Sequence, residues 1–507
     1  MASQNFSKAI DLNGDSDNGY SLYDMGDGIL IDVNGLCNNN TDFCAGLIKI
    51  DYNGEVIWKR EINELYRGGG DQQIVIAKDR IYLFGQPNQE ALQLDPEERE
   101  FWLMELDREG RQLRTLRLPR EEQEYGRCLL ENEGGLLLAS NPIVGNSSMH
   151  FRQIDLDGNI LWDAYYRGNL WAVDGRKMRP TFDGNYVLSH VSKSPYTGGD
   201  WTGLVTKLTA KGEKIWETPL DTVLYPFHSS DGPLVGLDDG SFVSAYLTEV
   251  ELDINRKDRF YPCVYKLDAV GHILWRKVMI DDYANDLLQL RKTKNGEILG
   301  VGVAEGLQAD PGEQDLPTQG GWLFRLTAEG EKLWERDLLD TSLTDFKGIF
   351  SDVLELQDGS LLLSGTINSP APPDDTIFVD NPDVWLLKLG ADGCFNPDCG
   401  PRQLQLQFLE STTSIPSIPK LQNISLSPNP TANVLRLQWE MDKEDLLDAV
   451  LFRILNVTGK VYLSGEISSN QKEIALRVDE LPPGPYVIQV FNASQNHILG
   501  ASQFIKL

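Results

Sequence analysis

The chain carries little positive charge for its size. Its 507 residues include 46 Lys and Arg against 76 Asp and Glu, which gives a formal net charge of −30. Nucleic acid is therefore not an expected partner, because phosphate binding needs clustered positive charge. No window approaches the roughly 18 consecutive apolar residues of a membrane-spanning helix, so the chain is not expected to span a membrane.

Residues and motifs that carry catalysis are also scarce. The sequence has 5 His, and it contains no GxSxG, HExxH or GxxxxGK[ST] motif. Carboxylates are abundant, but sequence alone cannot place two of them at the separation that glycoside hydrolysis needs. We therefore favour a protein that is not an enzyme, and no cofactor is expected apart from a calcium candidate described below.

Only six cysteines are present, and they occur in two contexts. Four form local pairs that bracket loop segments, and these are Cys37 with Cys44 and Cys394 with Cys399. Each spacing could close a small disulfide-bonded loop, which would indicate an oxidising compartment. Zinc is the alternative for paired cysteines, and it is weaker because histidines are few and no CxxC spacing occurs. Cys128 and Cys263 stand alone in apolar segments and are predicted to be core residues.

One unit of sequence recurs seven times in the first 400 residues. Each of the first six copies contains a strand-like segment, a glycine turn and a second strand-like segment, as in GLIKIDYNGEVIW (46–58) and GWLFRLTAEGEKLW (321–334). The aligned glycines are Gly54, Gly110, Gly158, Gly212, Gly271, Gly330 and Gly393. Their spacing of 48 to 63 residues is close to the length of a four-stranded propeller blade. Residues 1–400 are therefore predicted to form an all-β, seven-bladed β-propeller.

The N-terminal segment FSKAIDL (6–12) is predicted to close the ring. The seventh copy ends at Cys394 without the usual Trp-containing strand, and residues 6–12 resemble that strand. A propeller has to close to remove its sheet edges, so the N-terminal strand is expected to complete the last blade.

Five copies end in Gly-x-x-x-Trp. These tryptophans are Trp58, Trp162, Trp216, Trp275 and Trp334. The pattern resembles the tryptophan-docking motif of quinoprotein-like propellers, in which the Trp of each blade packs against the next blade, although the Thr that usually precedes the Gly is missing. We predict that these residues pack blade against blade, and we do not expect a quinone enzyme.

Long inserts recur between the second and third strands of each repeat. They are residues 34–45, 86–100, 141–149, 192–202, 247–262, 303–320 and 366–383. These loops emerge on one face of a propeller, and we expect that acidic face to bind ligands, because binding residues concentrate on loops held by a rigid scaffold. The candidate ligand-binding residues are Tyr196, Asp200, Trp201, Glu251, Asp374 and Asp375. Acids and aromatic rings together suit a glycan, Ca²⁺ or a basic protein surface, and solvated loops are the alternative.

One calcium candidate lies near the N-terminus. Asn13, Asp15, Asp17 and Asp24 fall at positions 1, 3, 5 and 12 of an EF-hand-like loop. Position 6 is Asn18 rather than Gly, and position 12 is Asp rather than Glu. A turn between the closing strand and the first blade is the alternative interpretation.

A second β module follows residues 401–420, whose Ser, Thr and Pro content predicts a linker. About six short strands in residues 421–507 suggest an immunoglobulin-like sandwich. The module resembles the type A C-terminal sorting domain of the Bacteroidetes type IX secretion system. The resemblance is carried by Ser-Pro-Asn-Pro-Thr (427–431), Asn-Val-Thr-Gly-Lys (456–460), Leu-Pro-Pro-Gly-Pro-Tyr (481–486) and Phe-Ile-Lys-Leu (504–507). The motif residues are Pro428, Asn429, Pro430, Gly459, Gly484, Tyr486 and Lys506.

The resemblance implies handling by the type IX secretion machinery, with cleavage and surface attachment or release. The first residues, MASQNFSK, lack the basic segment and apolar run of a signal peptide, and a trimmed N-terminus is the simplest explanation. We therefore expect a secreted or surface-displayed propeller that binds a glycan or protein through its acidic loops. The alternative is an exported carbohydrate-active or other propeller enzyme with acidic residues in its central funnel, and a structural surface component is a third reading.

Overall fold

The computed structural model of the chain describes 23 segments. They are residues 5–12, 16–36, 43–66, 73–88, 100–120, 124–132, 134–142, 148–167, 172–193, 201–222, 232–250, 259–280, 284–305, 319–338, 348–368, 382–396, 407–408, 424–439, 450–456, 461–467, 473–479, 481–492 and 497–506. Every regular element in these segments is a β-strand, and none of them contains a helix that could cross a bilayer. The chain divides into two compact units, Met1–Leu409 and Glu410–Leu507.

The first unit is a β-propeller built from β1 to β28. In the described residues these strands form seven four-stranded antiparallel groups, which we number blades 1 to 7, and a short pairing at Leu65 and Tyr66 also joins the fourth strand of blade 1 to the second strand of blade 2. They are β2–β5 (Asp17–Asp24, Ile29–Leu36, Phe43–Ile50, Val56–Tyr66), β6–β9 (Ile74–Ala77, Arg80–Pro87, Glu100–Leu106, Gln112–Pro119), β10–β13 (Glu124–Asn132, Gly135–Pro142, Ser148–Ile154, Ile160–Arg167), β14–β17 (Ala172–Pro180, Tyr186–Lys193, Trp201–Leu208, Lys214–Thr222), β18–β21 (Leu234–Gly236, Phe242–Val250, Arg259–Leu267, Ile273–Val278), β22–β25 (Ala284–Lys292, Ile298–Glu305, Gln319–Leu326, Lys332–Leu338) and β26–β28 (Gly348–Glu355, Leu361–Asn368, Pro382–Leu389) with β1 (Phe6–Ile10). The prediction of an all-β propeller is confirmed.

The first strands of successive blades contact one another and therefore surround the centre of the ring. Such contacts join β10 to β14, β14 to β18, β18 to β22, β22 to β26 and β26 to β2. The third strands are near-continuous apolar runs, as in Trp322–Leu326, because neighbouring blades cover both of their faces. The fourth strands lie at the outside and are partly exposed, as β25 is.

The ring closes as the sequence predicted. β1 pairs antiparallel with β28, with Phe6 opposite Lys388 and Ile10 opposite Val384. The N-terminal strand thus supplies the fourth strand of blade 7, although it ends at Ile10 rather than at residue 12. A two-residue strand, β29 (Gln407–Phe408), pairs in parallel with the other edge of β1. That part of the predicted linker therefore belongs to the first unit, and the rest of residues 401–420 lies outside the described residues.

Glycines and aromatic rings join neighbouring blades. Each turn that follows a third strand has five residues, and its glycine has a φ between +74° and +92°, which favours Gly. A large side chain of the preceding blade covers each of these glycines. The pairs are Trp58 on Gly110, Leu116 on Gly158, Phe151 on Gly212, Trp216 on Gly271, Trp275 on Gly330, Trp334 on Gly393 and Phe6 on Gly54. The contacts run from blade to blade around the ring and return to blade 1.

Two of these positions differ from the sequence pattern. Phe151 rather than Trp162 covers Gly212, and Trp162 packs instead against the apolar cluster shared by blades 3 and 4. In blade 2 the position of the Trp is held by Arg114, which donates a hydrogen bond to the carbonyl of Leu156. The indole N–H of Trp275 donates in the same way to Ala328 O of the next blade. Arg114 thus makes the hydrogen bond that the indole makes in blade 5.

A buried charge lies opposite most of these aromatic residues on the neighbouring third strand. Lys49 pairs with Trp58, Lys207 with Trp216, Lys266 with Trp275, Arg325 with Trp334 and Lys388 with Phe6. Carboxylates of the first hairpins neutralise several of them, and Lys207 Nζ lies 2.8 Å from Asp183. In blade 2, where Arg114 replaces Trp, the opposite residue is Glu105, and the two form an ion pair. Blade 2 therefore has a carboxylate in place of the buried cation and an arginine in place of the aromatic residue opposite it.

The second unit is an immunoglobulin-like sandwich. Its strands are β30 (Ile424–Ser427), β31 (Val434–Trp439), β32 (Val450–Asn456), β33 (Val461–Ile467), β34 (Glu473–Arg477), β35 (Gly484–Asn492) and β36 (His497–Lys506). One sheet has the order β30-β31-β34 and the other β33-β32-β35-β36. Their inward residues, among them Leu437, Ile454 and Ile488, form one core.

Candidate functional site

Most of the predicted ligand-binding residues fall outside the described part of the chain. These are Tyr196, Asp200, Glu251, Asp374 and Asp375. Trp201 begins β16 opposite Lys193, and its side chain is not among those described. The strand bounds nevertheless place all of these positions between the second and third strands of their blades or at the end of such a strand. Their role in ligand binding remains a prediction.

The calcium candidate does not form an EF-hand-like loop. Asp17 and Asp24 are the first and last residues of β2, and a strand of that length separates them by roughly 20 Å. Asp17 is fully buried, whereas Asp24 Oδ1 accepts hydrogen bonds from the N–H of Gly26 and the hydroxyl of Tyr52. The two carboxylates therefore cannot hold one ion. Asn13 and Asp15 lie outside the described residues, and no metal-binding group of three or more His, Cys, Asp or Glu occurs within them.

The described cysteines divide into two with a disulfide bond and two without one. Cys44 and Cys394 are disulfide-bonded, while Cys37 and Cys399 lie outside the described residues. Cys128 and Cys263 form no disulfide bond and are buried, in agreement with the sequence. Burial raises the pKa of the Cys128 thiol to about 12, so this residue is not a nucleophile at neutral pH.

Blade 3 contains a buried polar cluster that sequence reasoning did not identify. Glu124 starts β10, and its Oε1 accepts a hydrogen bond from the hydroxyl of Ser140 and lies 2.9 Å from His150 Nδ1. Arg152 Nη2 lies 3.5 Å from the other carboxylate oxygen, and Tyr165 stacks on the imidazole at 4.1 Å. Ser140 donates to the carboxylate rather than to the imidazole, so His150 does not activate it as in a Ser-His-acid triad. The cluster ties together all four strands of blade 3.

A second group of charged residues lies at the end of the ring where the first hairpins emerge. Arg291 forms a bidentate ion pair with Asp352, in which Nε lies 2.8 Å from Oδ1. Asp352 also accepts the N–H of Leu22 at 2.8 Å, so this carboxylate joins blades 6, 7 and 1. Burial and, to a smaller extent, the nearby charge of Arg291 lower the pKa of Arg179 of blade 4. We call this end of the central channel the hairpin mouth, and its cavity of about 370 Å³ is lined by residues of blades 4 to 7 that include Arg179, Arg291 and Glu355.

An alignment on the first-hairpin glycine could have located these arginines. The position five residues before that glycine holds Tyr23, Arg179, Val235, Arg291 and Leu354. Two arginines at an otherwise apolar or aromatic position indicate a charged inner lining, but the alignment depends on first knowing that these strands face the centre.

The sorting motifs of the second unit meet in space. Asn429 Oδ1 accepts the N–H of Ile505 at 3.0 Å, and Thr431 donates its N–H to Ile505 O at 2.9 Å, so the segment that contains Pro428 and Pro430 lies against β36. Lys506, near the end of β36, pairs with Gly484.

Tyr486 connects two of the same motifs. Its ring stacks on Phe504 with 5.6 Å between centroids, and its hydroxyl donates to Pro482 O at 2.9 Å. Burial raises its pKa above the ordinary value. Gly459 lies outside the described residues, and the other motif residues belong to one side of the sandwich where β35 begins and β36 ends.

The family comparison agrees with this geometry. Residues 425–500 match the model described as a secretion system C-terminal sorting domain. The second unit is a type IX sorting domain, and the protein is therefore routed to the cell surface or secreted. A search of curated proteins gives no match.

Several solved structures are similar to the chain at low identity. They include a protein of unknown function from Dyadobacter fermentans (12% identity, 76% of this chain and 98% of that one, TM-score 0.39), the β-propeller domain of the Trilobed protease from Pyrococcus furiosus (9%, 74% and 95%, 0.39) and the Pan2 WD40 domain from Neurospora crassa (13%, 63% and 89%, 0.31). At these scores the likenesses carry no functional argument, and the propeller assignment rests on the strand pairing described above.

Proposed function

We propose that the protein is an exported binding module whose propeller recognises a cationic protein surface through its acidic long-loop face. The C-terminal unit would direct passage through the type IX machinery and then surface attachment or release. The observation that carries the proposal is the distribution of charge. The seven inserts between second and third strands comprise 99 residues with 19 acidic and 5 basic side chains, which is a net −14 of the total −30.

The strand bounds support the common location of these loops. In a blade whose strands alternate in direction, connections from the second to the third strand emerge on one face and both hairpins on the other. The hairpins have two to five residues, whereas the connection between β23 and β24 covers residues 306–318 and that between β27 and β28 covers 369–381. Loops of one charge on a rigid ring attract a partner of opposite charge and raise its association rate.

The test measures binding of the full chain to basic and acidic proteins of matched size at 20 and 150 mM NaCl. Binding of the basic proteins, weakened by salt, is the expected result. Replacing Asp374 and Asp375 together by Asn should weaken it about fivefold at low salt. The matched control is Glu329→Gln with Glu331→Gln, which removes the same charge from an exposed hairpin of the other face and should leave binding unchanged.

Two results would contradict the proposal. Equal loss of binding in the two double variants would mean that only the net charge matters. Binding of neutral glycans without any preference for basic proteins would instead favour sugar recognition by aromatic residues such as Trp201.

A further inference from the structure

The hairpin mouth has a charge opposite to that of the chain as a whole. Four cations line its cavity, namely Arg179, Arg291, Lys292 and Lys294. They come from the ends of β14 and β22 and from the hairpin that follows β22. This face lies opposite the acidic inserts, so the mouth is separate from the surface proposed above for a cationic partner.

Two of the four cations are neutralised by carboxylates. Arg291 is held by the bidentate contact to Asp352, and Lys292 Nζ forms an ion pair with Asp238. Glu355 also lines the cavity, but its Oε1 lies 3.4 Å from Arg325 and its Oε2 accepts the N–H of Lys294 at 2.7 Å.

Arg179 and Lys294 have no carboxylate in contact with their side-chain nitrogens among the described residues. Arg179 donates to Met178 O at 3.0 Å, and Lys294 donates to Leu356 O at 2.9 Å. Burial and the charge of Arg291 lower the pKa of Arg179 to about 10, so it is still positive at neutral pH. A guanidinium that lines a cavity without a carboxylate retains donors that suit an oxyanion.

An apolar recess adjoins the mouth. A second cavity of about 400 Å³ lies between the first hairpins of blades 4 and 5 and shares Pro180, Gly236 and Lys292 with the mouth. Phe182 lines it and is 81% exposed, and Leu237 and Phe242 form part of its wall. An apolar group placed there would be next to the cations of the mouth.

The geometry points to a binding site for a small molecule that carries a carboxylate or phosphate group and an attached apolar or aromatic group. The oxyanion binds Arg179 and Lys294 in the hairpin mouth, and the apolar group covers Phe182. Charge-assisted hydrogen bonds from a guanidinium fix the oxyanion, and burial of Phe182 adds affinity. The proposal concerns binding alone and involves no reaction and no cofactor.

The test is calorimetric titration of the full chain at low salt with phenyl phosphate, inorganic phosphate, benzoate and benzyl alcohol. Phenyl phosphate or benzoate should bind more tightly than inorganic phosphate, and benzyl alcohol should not bind measurably. The ratio of the phosphate to the carboxylate affinity identifies the preferred oxyanion. Arg179→Gln and Lys294→Gln should each weaken binding about tenfold, since each removes a charge-assisted contact. Lys211→Gln is the matched control, because Lys211 is an exposed lysine of another hairpin.

Several outcomes would overturn the site. No binding of any oxyanion at millimolar concentration excludes it, as does equal binding of benzyl alcohol. An equal loss in the Lys211→Gln variant would show unspecific attraction. If Arg179→Gln does not fold, two other variants still test the site. They are Lys294→Gln and Arg179→Lys, the second of which keeps the charge. The double variant at Asp374 and Asp375 should lose binding of basic proteins and leave this site unaffected. Failure of one proposal can therefore be distinguished from failure of the other.

Discussion

At the scale of single residues, Asp17 should make the stability of the propeller depend on pH. It starts β2, it is fully buried, and its Oδ2 accepts the N–H of Leu12 at 2.5 Å. Burial, with a smaller contribution from the charges of Asp11 and Asp383, raises the pKa of this carboxyl to about 8, although the hydrogen bond from Leu12 acts in the opposite direction. An unfolded Asp has a pKa of about 3.9, so between pH 4 and 8 the folded state keeps a proton that the unfolded state has lost.

The sign of the effect follows from this difference. The contribution of Asp17 to stability is fully present below about pH 4 and is lost as the pH rises towards 8, by at most about 1.4 kcal/mol per pH unit. We expect Asp17→Asn, which mimics the protonated acid, to remove this part of the slope. Urea unfolding at pH 5, 6, 7 and 8 measures it, with Asp157→Asn as a control at an exposed carboxyl. Identical slopes in wild type and Asp17→Asn would show that Asp17 is ionised in the folded state.

At the scale of elements, the closing strand should contribute as much as an internal fourth strand. Phe6 covers Gly54 as Trp275 covers Gly330, and Lys8 Nζ donates to Gly54 O at 3.1 Å. Phe6→Ala should therefore lower the free energy of unfolding by about 3 kcal/mol, the cost of truncating a buried aromatic residue. Calorimetry of Phe6→Ala beside Trp275→Ala measures this.

Deletion of residues 1–10 extends the same argument. It removes five backbone pairs and exposes the edge of β28, which should lower the melting temperature strongly and promote association through the unpaired edge. A deletion variant that melts like the parent and is monomeric by size-exclusion chromatography would mean that β1 does not hold the ring closed.

The sequence predicted those elements whose cause is local. The hairpins between third and fourth strands could be recognised because glycine, which favours a positive φ, recurs beside alternating apolar residues. Strand β1 could be recognised because the seventh copy of the repeat lacks its fourth strand. The segment around Asp17 was considered as a calcium-binding loop because Asn13, Asp15, Asp17 and Asp24 have an EF-hand-like spacing, but Asp17 and Asp24 lie at the two ends of one strand, and Asp17 is buried. Arg179 and Arg291 are 112 residues apart in the sequence, and only the closed ring brings them into one cavity.

At the scale of the whole molecule, we expect the propeller to separate two kinds of charge. The acidic inserts are proposed to lie on one face, and the cations of the hairpin mouth lie at the end of the channel where the first hairpins emerge. Opposite charges held apart by a rigid scaffold allow one protein to bind a cationic macromolecule and a small anion without competition for the same residues. Salt should weaken both interactions, because both depend on exposed or partly exposed charges.

The two units should separate in both stability and export. A chain that ends at Leu409 keeps the pairing of Gln407 and Phe408 with β1, so its propeller should melt at the temperature seen in the full chain. It lacks the residues matched by the sorting domain, so it should no longer reach the cell surface or the medium. Calorimetry of the purified chains and fractionation of expressing cells measure the two effects. Unfolding of the shortened chain would mean that the two units share one cooperative core, and its arrival at the surface would mean that the export signal lies in the propeller.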